Sequence, residues 1–490
     1  RRLCSPIRTL AWAALTCVLG AAAAGFSAES PPQRPNVVLI LLDNCGQEWL
    51  GCYGSDEKRT PHIDELARGG VRFEHCYTFP VCGPSRIELL SGRYPLHTGF
   101  TMHHDAALYS GGGLDPGREV VFARRFREAG YATGIAGKWQ VNNLYDEPGI
   151  LARHGFDEHL VWPGSIDRDR ISADDLRRFH AAIEAREADT LSVLNQAIES
   201  RYWDPVVLRN GRREVLTGKF GPDVFQEFAL DFLDRHRRDP FLLYLPMVLT
   251  HGQSVTQHVV ATPPNRQDQR PQHDMYGAMV EYADRLIGQV VDRLTELGLR
   301  ERTLVVVATD NGSEPSLIAS RYGRPAPGGL YQLTEAGSDV GLLVNCPRLV
   351  PGGRTIGLAD FTDVYPTLCE LAGIALPQKP KLDGHSHAAV LRQVPEAAPA
   401  RRWILNQLGT RRAVRDRRYK LYSTGELFDV RADREEQHDL ARSERADVVA
   451  ARDRLRRVLA SLPPDSPPPI ELRSLSAFKL AKQPETRPAP

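Results

Sequence analysis

Hydrophobic runs alternate along the chain with amphipathic segments in which apolar residues recur at helical spacing. Four of these runs predict buried strands, and they cover residues 36–44, 131–139, 240–251 and 303–312. After the first run, Thr60 and Pro61 predict the start of a helix. Gly69 and Gly70 predict its end. Buried strands that alternate with helices are typical of an α/β fold with a largely parallel sheet.

Polar side chains stand at the end of each predicted strand. They are Asp43 and Asn44, Lys138, His251, and Asp310 and Asn311. In open α/β sheets, ligands bind beyond the carboxyl ends of the strands, so we expect these side chains to meet at one edge. Carboxylate and amide oxygens are the ligands that calcium and magnesium prefer, whereas lysine and histidine hold anions. The sequence therefore predicts an active site for a hard cation and a tetrahedral anion.

The segment from Val81 to Pro95 places a cysteine ahead of a predicted helix. Pro84 suits the first helical position, which leaves Cys82 just before the helix. Free amides and the helix dipole favour an anion there, and Arg86 adds a cation one turn later. Taken alone, such a cysteine is more typical of a buried structural thiol. With the strand-end residues, it predicts ester hydrolysis at sulfur or phosphorus.

The end of the chain predicts a second, smaller unit. A proline- and alanine-rich passage at residues 393–402 marks a boundary, and short strand-like runs after it predict a small antiparallel sheet. Residues 446–462 predict a helix with valine, leucine and alanine on one face. We therefore predict a main domain over residues 34–390, an α+β subdomain over 402–462 and a loose tail over 463–490.

Charge and the N-terminal pattern narrow the functional classes. The formal net charge is +1 over 490 residues, which speaks against a nucleic-acid partner. Residues 1–28 combine a basic start, an apolar stretch and small residues before Glu29, and predict a signal peptide. The apolar stretch is short for a membrane span, although a retained anchor is the alternative. We expect an exported protein, periplasmic or extracellular, with no stable membrane span.

Several motifs follow one another in a fixed order. CGPSR at residues 82–86 is followed by SGRYP at 91–95. The other segments are RPNVVLILLD, GCYG, TPHIDELARGGVRFEHCYT, AGKW, TDNG, LTEAG and LDGHS. Together they resemble the type I sulfatases of the alkaline phosphatase superfamily, whose Cys-x-Pro-Ser-Arg motif CGPSR matches. The resemblance implies an alkaline phosphatase-like fold, with a large, mixed, mostly parallel sheet flanked by helices and a smaller C-terminal α+β subdomain.

The resemblance also implies that Cys82 is oxidised to formylglycine. In the family, one hydroxyl of the hydrated aldehyde attacks the sulfate ester, and the other then expels sulfate by re-forming the aldehyde. The implied partners are a formylglycine-generating or anaerobic sulfatase-maturating enzyme and a sulfated small molecule or glycan. The implied cofactor is calcium, with magnesium as the alternative.

The family roles carry over position by position. The implied metal ligands are Asp43, Asn44, Cys82, Asp310 and Asn311. Arg86 would orient residue 82, while Lys138 and His251 would contact the sulfate. His251 is also placed to help the leaving oxygen depart, and Gln140 stands at a substrate-contacting position.

Three positions depart from the family pattern. Asn44 replaces an aspartate found in many relatives, which should lower metal affinity. Gln140 replaces a histidine and can donate a hydrogen bond, but it cannot shuttle protons. Leu330 replaces a sulfate-binding lysine, and one such donor contributes about 2.7–4 kcal/mol to the transition state. Arg321 and Arg324 are candidates to compensate. We expect Leu330→Lys to raise turnover unless another cation already fills its place.

The preferred function is that of an exported, arylsulfatase-like sulfuric ester hydrolase acting on a carbohydrate or aryl sulfate. One alternative is a phosphomonoester or phosphonate hydrolase on the same scaffold, which the cysteine motif and the oxygen ligands disfavour. The other is a catalytically weakened protein that binds sulfated glycans, an alternative motivated by Leu330 and Gln140.

Two further segments are candidates for contact with the substrate. His103 and His104 lie in a predicted loop near the rim of the site. Tyr202, Trp203 and Asp204 form a cluster that suits stacking on a sugar, although ordinary packing is its more frequent role.

Overall fold

The computed structural model of the chain describes residues 34–103, 113–164, 172–185, 199–252, 259–398 and 401–468. The predicted signal peptide and most of the predicted tail lie outside these ranges. Within them, no helix combines the length and the hydrophobicity that a membrane crossing requires.

Strands and helices are labelled in chain order. The strands are β1 (Asn36–Leu42), β2 (Val71–Tyr77), β3 (Ala132–Lys138), β4 (Glu158–Trp162), β5 (Val206–Arg209), β6 (Arg212–Val215), β7 (Phe241–Pro246), β8 (Thr303–Thr309), β9 (Ala319–Arg321), β10 (Arg324–Ala326), β11 (Asp339–Val340), β12 (Leu342–Asn345), β13 (Arg354–Asp360), β14 (Ile404–Leu408), β15 (Arg411–Arg415), β16 (Tyr419–Tyr422) and β17 (Leu427–Asp429). The α-helices are α1 (Pro61–Arg68), α2 (Cys82–Ser91), α3 (Pro95–Thr98), α4 (Phe122–Glu128), α5 (Ile150–Arg153), α6 (Ala173–Glu184), α7 (Gly221–Arg235), α8 (Gln272–Glu296), α9 (Glu335–Ser338), α10 (Phe361–Ala372), α11 (Ala388–Leu391) and α12 (Ala446–Ser461).

The central sheet is mixed, and its middle strands are parallel. Neighbours in the order β4-β3-β7-β1-β8 all run in the same direction. On one side, β12 pairs antiparallel with both β8 and β2, and β13 adds a parallel strand to β2. On the other side, β5 and β6 continue antiparallel. This arrangement confirms the predicted α/β fold with a large, mostly parallel sheet and flanking helices.

The continuous apolar run of β1 reflects burial on both faces of the sheet. Successive residues of a strand point to opposite faces. Val38 and Ile40 join the hydrophobic cluster that α1, α7 and α8 complete. Leu39 and Leu41 join the cluster on the opposite face, which α2, α4 and α10 complete. A strand covered on both sides needs apolar residues on both faces, as β1 has from Val37 to Leu42.

The predicted elements correspond closely to those observed. β1, β3, β7 and β8 each lie within one of the four hydrophobic runs, and α1 spans residues 61–68 as its end signals indicate. The helix of the cysteine motif begins earlier than predicted, because Val81 is extended and Cys82 is already helical. Pro84 is still acceptable there, since amides throughout the first turn have no partner within the helix.

The C-terminal region contains the predicted antiparallel sheet. Its strands follow the order β14-β15-β16-β17. The helix α12 covers one face, where Val448 and Leu455 pack against Val414 and Leu421. The α+β character of this region is therefore confirmed, while the exact domain boundaries stay a prediction.

Candidate active site

The polar residues that follow four strands meet because those strands are neighbours. β1 lies between β7 and β8, with Leu42 opposite Thr309. Main-chain hydrogen bonds extend this alignment past the strand ends. The Asp43 amide donates to the Leu249 carbonyl at 2.8 Å, and the Asp310 amide donates to the Leu42 carbonyl at 2.9 Å. The carboxylates at 43 and 310 are thereby held at the same edge of the sheet.

Two carboxylates and two cations form a buried ion-pair network at this edge. The Lys138 ammonium donates to Asp43 Oδ2 at 2.7 Å. Arg86 Nη2 donates to Asp310 Oδ2 at 2.7 Å and lies 3.5 Å from Asp43 Oδ2. Arg86 Nη1 donates to the Lys138 carbonyl at 3.0 Å. All four side chains are fully buried, so solvent does not weaken these interactions.

The two asparagines belong to the same cluster. The main-chain N–H of Asn44 donates to Asp310 Oδ1 at 2.9 Å, and the side-chain Nδ2 of Asn311 donates to Asn44 Oδ1 at 2.7 Å. Asn44 has a φ of 57°, a left-handed conformation that asparagine adopts more readily than most residues. The turn after β1 therefore explains a short polar side chain at this position.

Cys82 and His251 approach the network from two other segments. Asp43, Cys82 and His251 each offer a ligand atom, and these atoms lie within 4.8 Å of one another. Cys82 is 3% exposed and packs with Phe79 and Val81. The first residue of α2 is therefore within reach of both the carboxylate of β1 and the imidazole that follows β7.

The donor set fits a hard cation. Asp43 Oδ1 and Asn311 Oδ1 are buried, and within the described ranges neither has a hydrogen-bond partner. Buried oxygens without a partner are costly, and coordination to a cation is one way to satisfy oxygens of this kind. Calcium and magnesium take carboxylate and amide oxygens of this kind. The unpaired oxygens are the observation that favours a metal among these residues.

The surroundings of the site shift the pKa values of the two aspartates in opposite directions. Burial opposes ionisation of Asp43, but the positive charges of Lys138 and Arg86 hold the pKa of its carboxyl below the usual range. Burial and the charge of Asp43 raise the pKa of Asp310 to about 7. Burial also raises the pKa of the Cys82 thiol to about 11, so the unmodified cysteine is a neutral thiol at neutral pH.

His251 has an arginine neighbour that the sequence analysis missed. Arg201 Nη2 lies 2.9 Å from Nδ1 of His251 and donates to the Gly252 carbonyl at 2.7 Å. Burial, followed by the charge of Arg201, holds the pKa of His251 well below its usual value. His251 is therefore neutral. The only sequence signal for Arg201 was its position directly before the aromatic cluster that starts at Tyr202.

That aromatic cluster has a packing role. The Tyr202 hydroxyl donates to the Val248 carbonyl at 2.6 Å, and Trp203 Nε1 donates to the Ala261 carbonyl at 2.8 Å. The ring of Trp203 also packs against that of Phe220, with centroids 4.8 Å apart. These contacts favour packing over sugar stacking.

Of the three departures from the family pattern, Asn44 belongs to the strand-end cluster, as described above, and the other two are Gln140 and Leu330. Gln140 is buried in the turn after β3 and has a φ of 64°. Leu330 is buried, and its amide donates to the Ser313 carbonyl at 3.0 Å. Arg321 donates to the Tyr53 carbonyl at 2.8 Å and to Gln47 Oε1 at 3.0 Å.

Neither proposed substitute for the missing lysine is paired with the strand-end residues. Arg321 is occupied by the contacts just described, and Arg324 is exposed on β10. His103 is fully buried, with its ring edge-on to that of Tyr331 at 6.2 Å, and its contact with the substrate stays a prediction. His104 lies outside the described residues.

Comparisons with known proteins agree on one family. The family model described as Sulfatase matches residues 35–374. Human arylsulfatase D is 29% identical over 437 residues, covering 77% of this chain and 71% of the relative. Dog N-acetylgalactosamine-6-sulfatase is 30% identical over 376 residues, covering 74% of this chain and 67% of the relative.

A solved structure extends the likeness to the whole fold. The structure of Ps i-CgsB in complex with k-i-k-neocarrahexaose has a TM-score of 0.68 and 24% sequence identity. The alignment covers 92% of this chain and 98% of that one. At this level of identity the likeness concerns the fold, and it includes the C-terminal region as well as the central sheet.

Proposed function

The chain belongs to the sulfatase family, and from that premise we propose that it cleaves a carbohydrate or aryl sulfate with formylglycine at position 82 and a bound calcium ion. Membership of the family makes it a sulfuric ester hydrolase. The finer proposal rests on the approach of Asp43, Cys82 and His251 to within 4.8 Å of one another. The reaction consumes one ester and one water and yields an alcohol, inorganic sulfate and a proton.

Residue 82 is proposed as the nucleophile. A formylglycine-generating or anaerobic sulfatase-maturating enzyme, using an external oxidant, would convert Cys82 to the aldehyde, and addition of water to that aldehyde supplies the attacking hydroxyl. Residue 82 is the first residue of α2, and Arg86 lies one helical turn after it. Arg86 is held by Asp310 at 2.7 Å and by the Lys138 carbonyl at 3.0 Å, so its guanidinium is fixed beside residue 82. A positioned cation there orients residue 82 at little entropic cost.

The proposed metal ligands are the oxygens at the strand ends. They are Asp43, Asn44, Asp310 and Asn311, together with residue 82. Calcium, or magnesium in its place, supplies positive charge beside the reacting oxygens when bound. Support comes from the oxygen-only donor set and from the two buried oxygens that lack a hydrogen-bond partner in the described part of the chain.

Lys138, His251 and Gln140 are proposed to contact the sulfate group. The Lys138 ammonium lies 2.7 Å from Asp43 and brings a buried positive charge to this edge. A neutral His251 can donate one ring N–H, either to a sulfate oxygen or to the departing alcohol oxygen. Gln140 can donate a hydrogen bond from its buried position after β3.

The proposed substrate class rests on the names of similar proteins, and the proposed compartment rests on the N-terminal sequence pattern. One relative is named for an N-acetylgalactosamine 6-sulfate, and the Ps i-CgsB structure holds a neocarrahexaose. These names favour a sulfated carbohydrate. The signal-like pattern at residues 1–28 supports export to the periplasm or the extracellular space.

The test is sulfate release by the full chain, co-expressed with a formylglycine-generating enzyme. Substrates are 4-nitrophenyl sulfate, 4-nitrophenyl phosphate and a panel of sulfated polysaccharides. Mass spectrometry of the peptide that contains residue 82 measures its conversion. We expect formylglycine at position 82, release of sulfate in the presence of calcium, and faster turnover of the sulfate ester than of the phosphate ester.

Each contrary result would contradict a different part of the proposed function. An unmodified thiol at position 82 in active protein would remove the formylglycine nucleophile. Faster turnover of the phosphate ester would favour a phosphomonoester or phosphonate hydrolase. Tight binding of sulfated glycans by converted protein, with no sulfate release, would identify a weakened relative.

A further inference from the structure

The cations of the site differ in how their charges are compensated. Lys138 is paired with Asp43 at 2.7 Å, and Arg86 is paired with Asp310 at 2.7 Å. Arg201 is 4% exposed, yet within the described ranges no carboxylate lies within 4.0 Å of its guanidinium. A buried charge whose close partners are a carbonyl and an aromatic face is costly, and an anionic ligand would compensate it.

The position of Arg201 places this charge beside the proposed sulfate contacts. Its guanidinium lies over the ring of Trp162, 4.6 Å from the centroid. Trp162 is the last residue of β4 and pairs directly with Lys138 of β3. On its other side, Arg201 Nη2 lies 2.9 Å from His251. Arg201 therefore contacts His251 directly and also stacks on Trp162, the strand neighbour of Lys138. Lys138 and His251 are the two residues that are proposed to hold sulfate.

The fold holds Arg201 in this position. The amide of Gly221, at the start of α7, donates to the Tyr202 carbonyl at 2.7 Å. A Cβ atom at Gly221 would lie 2.1 Å from the Arg201 carbonyl oxygen, so the two backbones are in close contact. The Tyr202 hydroxyl also donates to the Val248 carbonyl, which ties the segment to the chain before His251. A pre-positioned arginine loses little conformational freedom when it binds an anion.

We propose that Arg201 binds the sulfate group and supplies the charge that the family lysine, here Leu330, would otherwise provide. Only Nη2 of Arg201 is hydrogen-bonded to residues that the structure describes, so Nη1 and Nε keep their donors for a ligand. A guanidinium offers a planar pair of N–H donors that matches two oxygens of a tetrahedral anion. This inference rests on the proposed function, because sulfate must bind beside residue 82.

The test is a double-mutant cycle between positions 201 and 330, run on full chain whose formylglycine content is measured. Arg201→Gln should lower kcat/KM for 4-nitrophenyl sulfate by about 10²–10³-fold, the usual cost of removing one donor to a developing anion. It should also weaken the binding of inorganic sulfate, measured by calorimetry. Leu330→Lys should change kcat/KM of the parent less than threefold, yet restore at least tenfold in the Arg201→Gln background.

Controls separate this inference from the proposed function. Arg266 stacks on Trp203 at 5.1 Å, pairs with Asp204 and is half-exposed, so Arg266→Gln removes an arginine outside the proposed sulfate contacts and should leave both measurements unchanged. Converted parent protein that releases no sulfate would contradict the proposed function itself. With an active parent, an Arg201→Gln variant that keeps its rate and its sulfate affinity would overturn the role of Arg201.

A loss that Leu330→Lys does not restore would also overturn the inference, because Arg201 would then act by positioning His251. If Arg201→Gln fails to fold, Arg201→Lys carries the test, since lysine keeps the charge but loses the planar fork. That variant should retain most of the sulfate affinity, with kcat/KM lowered about tenfold. Loss of all sulfate binding in folded Arg201→Lys would contradict a charge-based role.

Discussion

Two buried polar clusters in this molecule have similar composition, but they differ in how many of their oxygens have hydrogen-bond partners. The strand-end cluster contains Asp43, Asp310, Arg86 and Lys138. The interface cluster contains Glu335, Asp339, Arg415 and Lys420, and it joins the central sheet to the C-terminal sheet. Each has two carboxylates and two basic side chains, and both include groups with metal-ligand geometry.

The interface cluster leaves no carboxylate oxygen without a partner. Arg415 donates to Glu335 Oε2 at 2.7 Å, and Lys420 lies 3.3 Å from Oε1. Asp339 accepts from Gln47 Nε2 at 3.1 Å on one oxygen and lies 2.9 Å from His75 Nδ1 on the other. A network whose carboxylate oxygens all have hydrogen-bond partners stabilises the fold, and it leaves no unpaired oxygen for an ion.

The strand-end cluster is satisfied only in part. Asp43 Oδ1 and Asn311 Oδ1 lack hydrogen-bond partners in the described part of the chain, although both are buried. The comparison teaches that the charge of a buried cluster does not distinguish structure from function. Between these two clusters the unsatisfied oxygens make the difference, because a bound cation would complete their coordination.

The largest expected effect is at Cys82, which belongs to the strand-end region alone. Cys82→Ala removes the proposed nucleophile, and sulfate release should fall on the order of 10⁶-fold, as for other covalent nucleophiles. Thermal unfolding should be nearly unchanged, because alanine suits the first turn of α2. Sulfate release and circular dichroism measure the two effects. Residual turnover within tenfold of the parent would rule out residue 82 as the nucleophile.

The second effect concerns stability at the interface cluster. Arg415→Met leaves the buried carboxylate of Glu335 with Lys420 as its one remaining basic partner among the described residues. The free energy of unfolding should fall by about 3–5 kcal/mol, as expected when a buried pair loses one member. Urea denaturation measures it, while kcat per folded molecule should stay near the parent value.

Arg418→Met is the matched control for that change. Arg418 pairs with Asp429 at 2.8 Å, but its side chain is 44% exposed. Exposed pairs contribute about 0–1 kcal/mol, so this substitution should have little effect on unfolding. Equal losses for Arg415→Met and Arg418→Met would contradict a structural role for the interface cluster.

The strand-end residues could be predicted because their signal is local in sequence. β1 is apolar from Val37 to Leu42 and then changes abruptly at Asp43, which marks both a buried strand and its functional end. The same change occurs after β8 at Asp310. Strand order and direction are less visible. β12 pairs antiparallel with β8, yet a short apolar run has the same pattern in either direction.

Arg201 could not be predicted because its signal is entirely tertiary. It follows no strand end, and it reaches the site by stacking on Trp162 and by its contact with His251. The interface cluster was missed for the same reason. Glu335 was visible as part of the LTEAG motif, but its partner Arg415 lies 80 residues away. Pairings between distant segments are created by packing, and no local pattern specifies them.

The two clusters should differ in their response to calcium. Calcium at about 100 times its dissociation constant should raise the free energy of unfolding by about 2.7 kcal/mol, and a chelator should remove that gain. Asp43→Asn should abolish most of the response, whereas His75→Gln, in the second group with ligand geometry, should keep it. Thermal unfolding with and without calcium measures this. A response that His75→Gln removes would place the ion at the interface instead.

The smallest expected effect is a change in calcium affinity when Asn44 is replaced by aspartate. Asn44→Asp adds a carboxylate to the strand-end cluster, and the left-handed backbone at φ 57° accommodates aspartate as well as asparagine. Asn311 Nδ2, which donates to Asn44 Oδ1 at 2.7 Å, can donate equally to the new carboxylate. Calcium affinity, measured by calorimetry, should rise about tenfold, or about 1.4 kcal/mol.

Asn210→Asp is the control for added charge. Asn210 also has a left-handed φ, of 48°, but it is exposed in the turn between β5 and β6. Its substitution adds the same negative charge outside the strand-end cluster and should leave calcium affinity unchanged. If both variants raised the affinity equally, the gain would reflect net charge. A gain confined to position 44 would mean that the incomplete coordination of the strand-end cluster, rather than its overall field, determines how tightly the ion is held.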